Sequence, residues 1–194
     1  MIFNRFAKEA RRCVEAALEE ARGLGHDSVG DEDLLLGILR AGEGVAAEAL
    51  SSLGVTLKAA REESEGMFAE ALSSIGISLD AVRRETGGAF EMRIPDDRRI
   101  PFSPRAKQAL EGALLEAIRL GDNRITAEHI LLGVLREENG TAGRLLGNLG
   151  VTPPALEERL GQLQGQRPKP RGGVQAGDLM QPKGYAGSPS MCWR

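Results

Sequence analysis

Aromatic residues are scarce in this chain, at 4% of 194 residues, with a single tryptophan and a single tyrosine. A sheet core draws on aromatic and β-branched side chains, so their scarcity beside abundant alanine, leucine and glutamate points to close-packed helices. Cysteine is nearly absent. Cys13 falls on an apolar helical stripe and Cys192 lies near the chain end, which gives neither a disulfide framework nor a cysteine metal site and suits a reducing compartment. No apolar run reaches bilayer length, and the start MIFNRFAKEARR lacks the hydrophobic stretch of a secretory signal. The expected location is cytoplasmic.

The chemistry-bearing motifs are missing too. His26 and His129 are the only histidines, and neither stands in an H-x-x-x-H spacing. There is no G-x-S-x-G turn, no paired catalytic carboxylate motif and no G-x-x-x-x-G-K-[ST] loop to cradle a nucleotide phosphate. The chain is therefore expected to be no enzyme, and to hold no metal and no cofactor. Its net charge of −3 is uneven: Arg167, Lys169, Arg171, Lys183 and Arg194 against Asp178 put +4 on residues 165–194, leaving −7 on residues 1–164. An acidic body disfavours docking on nucleic acid or anionic lipid, and only the basic tail keeps a nucleic-acid-associated regulator open as an alternative.

What is present is duplication. Sliding the chain by 96 residues sets Phe6 on Phe102, Ala10 on Ala106, Glu15 on Glu111, Gly25 on Gly121, Glu32 on Glu128 and Gly37 on Gly133, and LGVT at 53–56 on LGVT at 149–152. Coincident glycines, helix starts and apolar positions mark a repeated unit of roughly fifty-five residues. Two such halves should pack about a pseudo-twofold axis. A nearer duplication, at an offset of 22, repeats AEALSSLGVTLKAAREESEG (47–66) as AEALSSIGISLDAVRRETGG (69–88). It reads as an extra helical hairpin over 67–88. The alternative is one long helix over 57–75, which Gly66 opposes by only about 1 kcal/mol.

Helix signals complete an all-α reading. Phe6, Ala10, Cys13, Val14, Ala17, Leu18 and Ala21 keep helical spacing after Asn4, a good N-cap, and the run ends at Gly23 and Gly25. Ser103 with Pro104 opens the equivalent helix, which ends near Gly121. Short helices follow at 31–41 and 127–137, then at 44–53 and 141–149, and Thr152-Pro153 opens a last one to about Leu163. The domain reading is repeat one over 1–66, the hairpin over 67–88, a linker over 89–101, repeat two over 102–163, and a disordered Pro/Gly-rich basic tail over 164–194.

The strings GDEDLLLG (30–37) and TAEHILLG (126–133), followed by RAGEG and REENG, resemble the signature of the Clp N-terminal repeat, and NRFAKEARR and IPFSPRAK resemble its helix starts. The likeness covers residues 1–163 and is nearest to the N-domains of ClpC-type unfoldases, though the 22 added residues depart from their spacing. With no motor motif following, the chain reads as a freestanding N-domain. The resemblance implies two four-helix Clp repeats forming a non-enzymatic protein- and peptide-binding module. It also implies an accessory or decoy of the ClpC–ClpP proteolytic system, with marked proteins, ClpC, its adaptors and cyclic-peptide antibiotics as the partner classes.

The same resemblance places a phosphoarginine-type site at the starts of the two second helices, with Glu32 and Glu128 for the guanidinium. The residues beside them, Asp31 and Ala127, stand where the family carries threonine, and Thr126 offers a substitute hydroxyl. A first-turn carboxylate is equally what the helix dipole favours in any protein, by about 0.3–1 kcal/mol. A hydrophobic peptide groove is implied at Phe3, Val14, Phe102, Lys107 and Glu111. Phe102 reads either as an exposed anchor or, like Phe6, as a hydrophobic staple, and Lys107 and Glu111 as a groove edge or a solvated i, i+4 pair.

Overall fold

The close crossing of two helices organises each half of the chain. The computed structural model describes residues 2–78, 80, 81, 84, 99–137 and 139–165. In the first half a 3₁₀ turn (Ile2–Arg5) precedes α1 (Lys8–Leu24), α2 (Asp31–Ala41), α3 (Gly44–Ser52) and α4 (Leu57–Ser74). In the second, α5 (Pro104–Leu120), α6 (Ala127–Leu135), α7 (Thr141–Asn148) and α8 (Pro153–Gly165) follow in the same order. Among the described residues there are isolated bridges and no strand, so the chain is all-α as its composition implies.

Gly37 in α2 and Gly133 in α6 occupy equivalent positions, and both are buried against the preceding long helix. A Cβ at Gly37 would overlap the Cys13 carbonyl oxygen and lie 2.7 Å from the Ala17 nitrogen. One at Gly133 would overlap the Ala109 carbonyl oxygen and lie 2.7 Å from the Ala113 nitrogen. Backbone rests on backbone, which lets Ala10, Cys13 and Ala17 of α1, and Ala106, Ala109 and Ala113 of α5, pack with almost no exposure. Gly25 (φ 74°) and Gly121 (φ 75°) end the long helices in the left-handed region, where a side chain would be strained.

A carboxylate ties each crossing at its far end. Glu20, 3% exposed, accepts from Arg40 Nη1 at 2.8 Å and from Arg61 Nε at 2.7 Å. Its counterpart Glu116, 1% exposed, accepts from Arg119 Nε at 2.8 Å and pairs with Arg136. Arg40 and Arg136 are themselves equivalent, so the buried acid and its partner on the next helix recur in both repeats. Burial would push the Glu20 carboxyl up, but Arg61 and Arg40 outweigh it and hold it below the ordinary range.

The halves are joined by reciprocal hydrogen bonds. The Ala7 amide donates to the Ile125 carbonyl (2.8 Å) and the Ile125 amide to the Arg5 carbonyl (2.8 Å). In the mirror relation the Ser103 amide donates to the Val29 carbonyl (2.9 Å) and the Val29 amide to the Pro101 carbonyl (2.8 Å). Each repeat's leading segment is thus bonded to the other's α1–α2 or α5–α6 loop, as a pseudo-twofold axis requires. Across it α2 packs on α6 and α7, and α3 on α6 and α8, and one apolar core runs through both halves.

Two local expectations change. The first long helix begins at Lys8 with Ala7 as an N-cap that makes no side-chain bond, not after Asn4, because the backbone around Phe6 is drawn into the bridge to Ile125. In the second repeat Ser103 does cap, its Oγ accepting from the Ala106 amide at 3.1 Å. The boundary expected at 66/67 falls inside α4, which runs unbroken through Gly66: the long-helix alternative holds over 57–74. Most of the hairpin's second arm, the linker over 89–98 and the tail from 166 lie outside the described residues. No described helix is long and apolar enough to cross a membrane.

Substituting alanine at Gly37 or Gly133 should lower unfolding free energy by at least the ~1–3 kcal/mol of an overpacked core. At Gly66, where a Cβ meets nothing within 4 Å, the same change should stabilise by about 0.5–1 kcal/mol. Urea titration of the three variants checks both signs, and equal effects at all three would refute the crossing.

Candidate functional site

The starts of α2 and α6 are built on one plan with different residues. In the first repeat the Asp33 carboxylate, fully buried, accepts from the Gly30 amide at 2.8 Å, closing the first turn. It also faces His26 Nδ1 at 3.0 Å. In the second repeat the residue equivalent to Asp33 is His129, 1% exposed, whose Nδ1 accepts from the Thr126 amide at 3.0 Å. The residue equivalent to His26 is Asp122, whose Oδ2 lies 3.2 Å from His129 Nε2. The acid and the imidazole have changed places while the pair and its capping role persist.

This exchange sets opposite titration behaviour. Burial lowers the pKa of His26, but the Asp33 hydrogen bond and charge, with Glu32 and Asp27, outweigh it and raise the value above the usual histidine range. Burial dominates at His129 and lowers its value despite Asp122, Glu128 and Glu116. A neutral ring also fits the geometry, since Nδ1 can accept from Thr126 only when unprotonated.

Glu32 is half-buried, and its carboxylate folds back over the Gly30 Cα, a place any side chain at position 30 would occupy. Burial, then the neighbouring Asp33 charge, push its carboxyl up to about 7. In the second repeat that place belongs to the Thr126 side chain, and Glu128 is buried, at 4% exposure. The Thr126 hydroxyl lies 2.7 Å from His129 Nδ1 and is engaged there. Ala127 is fully buried.

Asp31 is 2% exposed, and its Oδ2 accepts from the Ala142 amide at 2.9 Å. This residue therefore caps α7 of the opposite repeat, while its charge still acts on the Glu32 carboxyl at the start of α2. Ala127 cannot return the favour, and α3, with Glu43 at its N-cap position, has no side-chain cap. His26, Glu32 and Asp33 bring donor atoms within 4.8 Å of one another, a grouping that the helix-start cap and the His26–Asp33 pair already explain.

The second candidate surface is only partly assembled. Val14 is 6% exposed and belongs to the core. Phe102 is half-buried and packs against the core, whereas Phe6 is fully buried. Lys107 and Glu111 are exposed on α5, and no ion pair joins them among the described residues. Phe3 lies in the 3₁₀ turn, its side chain outside what is described. A groove of about 560 Å³ between the end of α2, α3 and the start of α4, lined by Leu39, Ala47, Val55, Leu57, Glu48 and Thr56, involves none of the candidates read from sequence. Its walls come from three helices, and no local motif announces it.

Two repeats with equivalent helix starts, reciprocal bridges and one core are the geometry of a double Clp repeat. The family of the Clp repeat (R) N-terminal domain matches residues 5–65, 57–149 and 101–181. The chain belongs to this family. The Clp N-domain match overlaps the inserted copy as well as both repeats. Among curated relatives, the chloroplastic chaperone protein ClpC1 of Arabidopsis thaliana is 38% identical over 165 residues, which are 85% of this chain and 16% of that protein. The ClpA homolog of Cyanidium caldarium is 39% identical over 165 residues, 85% of this chain and 17% of its own length. The chain thus spans about a sixth of the curated relatives it matches. Among solved structures, the N-terminal domain of ClpD from Arabidopsis thaliana matches 84% of this chain and 99% of its own, at TM-score 0.63 and 25% identity. The Hsp104 N-terminal domain of Candida albicans shares the fold at TM-score 0.56 and 17% identity, over 84% of this chain and 93% of that one.

The two histidines make a pH prediction. The stability contributed by His26 should be fully present below about pH 6.5 and fall as pH rises through its raised value; that of His129 should be present above about 6.5 and fall as pH drops. Histidine ring resonances followed by NMR should titrate on opposite sides of that value, and coincident titrations near it would rule out both pairs. Asp31→Ala should cost about 1 kcal/mol through loss of the α7 cap, read from chemical denaturation, with no loss meaning that the Ala142 amide is satisfied elsewhere.

Proposed function

We propose that this chain is a docking module of the Clp proteolytic system, which captures or sequesters proteins marked for unfolding and performs no chemistry itself. Its place beside ClpC N-domains supports the class of function. The ligand rests on one observation, the partly exposed Glu32 carboxylate lying over Gly30 at the first turn of α2. A phosphorylated arginine needs a carboxylate for its guanidinium and amide N–H groups for its phosphoryl oxygens, and a helix start offers both. Glu128, nearly sealed, and Thr126, engaged by His129, leave the second repeat the poorer acceptor. Asp31 accepts from the Ala142 amide with one oxygen, yet its charge still acts on Glu32 at the same helix start and opposes a phosphoryl group there. Cyclic peptides would engage the other candidate surface, at Phe102, Lys107 and Glu111. The accessory role implies ClpC or its adaptors as partners, and the decoy role needs affinity alone.

Because Glu32 must be ionised to hold a guanidinium and titrates at about 7, affinity for an arginine-phosphorylated peptide should rise about tenfold between pH 6 and pH 8. Calorimetric titration of the full chain, with Glu32→Gln alongside, measures this. The variant should bind weakly and lose the pH dependence. Undetectable binding by the unaltered chain, or unaltered binding by the variant, would defeat the ligand assignment.

A further inference from the structure

The two bridges that join the halves follow one plan but differ in charge. Phe6 pairs with Ile125 in the first and Val29 with Phe102 in the second. One residue before each bridged position, the first bridge carries Arg5 and Arg124, and the second carries Pro101 and Ser28 at the equivalent places. Arg5 and Arg124 are both exposed. The Ile125 amide, donating to the Arg5 carbonyl at 2.8 Å, holds their backbones side by side. Like charges set opposite each other weaken the pairing they flank.

The row of cations continues along the chain. Lys8 and Arg11 follow at i and i+3 on the exposed side of α1, where residues so spaced are neighbours. Among the described residues no ion pair engages any of these four, whereas Arg12 pairs with Glu43, Arg40 and Arg61 with Glu20, and Arg119 and Arg136 with Glu116. The acids nearby in sequence are placed otherwise. Asp122 lies against His129, Glu9 is half-buried with its charge acting on Cys13, and the exposed Glu15 ends the row beyond Arg11. The second bridge closes through the same two hydrogen bonds, at 2.9 and 2.8 Å, with no charged residue at either equivalent place. The fold therefore does not require Arg5 and Arg124, and their proximity opposes it.

We infer that Arg5, Arg124, Lys8 and Arg11 form a docking surface for an acidic segment of a partner protein, a short run of aspartate or glutamate lying across the first bridge and along the start of α1. A carboxylate between Arg5 and Arg124 relieves their repulsion and accepts from both guanidinium groups, and the next carboxylates of the segment reach Lys8 and Arg11. The row is short, and it sits on a body that carries −7 over residues 1–164. A long polyanion such as nucleic acid would be repelled by the rest of that body, whereas a short acidic segment meets the row alone. Gly30 and Glu32 follow the other bridge, at Val29, so this surface does not rest on the ligand proposed for Glu32.

Fluorescence anisotropy of a labelled octaglutamate peptide, titrated with the full chain, should show binding that weakens at least about tenfold between about 30 and about 300 mM salt. Arg124→Ser, which installs the residue of the second bridge, should weaken binding at least about threefold, and the triple change Arg5→Gln, Lys8→Gln and Arg124→Ser at least about tenfold. In both variants the melting temperature should hold or rise. Arg144→Gln, an equal loss of charge at an exposed arginine elsewhere, should leave binding unchanged. Undetectable binding at the lowest salt overturns the inference. So does unaltered binding by the triple variant, which would place the contact in the basic tail, or an Arg144→Gln effect as large as that of Arg124→Ser, which would leave net charge as the cause. Tighter binding of duplex DNA of the same charge would overturn the choice of partner, and a lowered melting temperature for the variants would show that the cations serve the fold.

Discussion

The contact of α1 with α2, repeated as α5 with α6, is so close that the second helix of each pair can carry only glycine at its centre. A glycine within a helix costs about 1 kcal/mol against alanine, and here it returns an interface in which carbonyl and amide groups of the long helix form the opposing wall. From that spacing follow the alanine-rich inner faces of α1 and α5. So does the reach of Arg40 and Arg136 to the buried Glu20 and Glu116, and with it the low aromatic content of the chain. Large rings would hold these helices apart.

Duplication made the two halves similar without keeping them identical, and the differences concentrate at the starts of α2 and α6. One half caps its helix with a carboxylate and pairs it with a histidine; the other caps with the histidine and pairs it with an aspartate. One half sends Asp31 across to the opposite repeat, and the other has alanine there. Gly30 admits the Glu32 carboxylate over the helix start, whereas Thr126 fills that place. The shared frame thus carries one partly open acidic helix start and one closed start. An asymmetric pair of helix starts on a pseudo-symmetric scaffold is the natural outcome.

Most of the architecture was legible in the chain itself. The register of 96 residues located both repeats, and the glycines and prolines located most helix ends, because these signals are local or come in matched pairs. The site was legible only in outline. Glu32 and Glu128 share a motif and a register, yet one is half-exposed and the other sealed. Asn4 looked like a cap until its neighbours were taken into the bridge to Ile125. Gly66 left two readings of α4 open, since its cost is small beside the packing of Ala60, Ser64 and Met67 on the core.

By itself the sequence determined the all-α class, the two matched halves, the duplicated segment and the place of the candidate carboxylates along the chain. These depend on composition, spacing and backbone preference, which act between near neighbours or recur in register. Tertiary structure alone decided that Asp31 serves α7, that His26 and His129 take opposite environments, and that residues 69–74 continue α4 with none of them buried. Each of these depends on which side chains lie opposite across tens of residues of chain. Burial and partnership are properties of that juxtaposition, and neither is carried by any local run of residues.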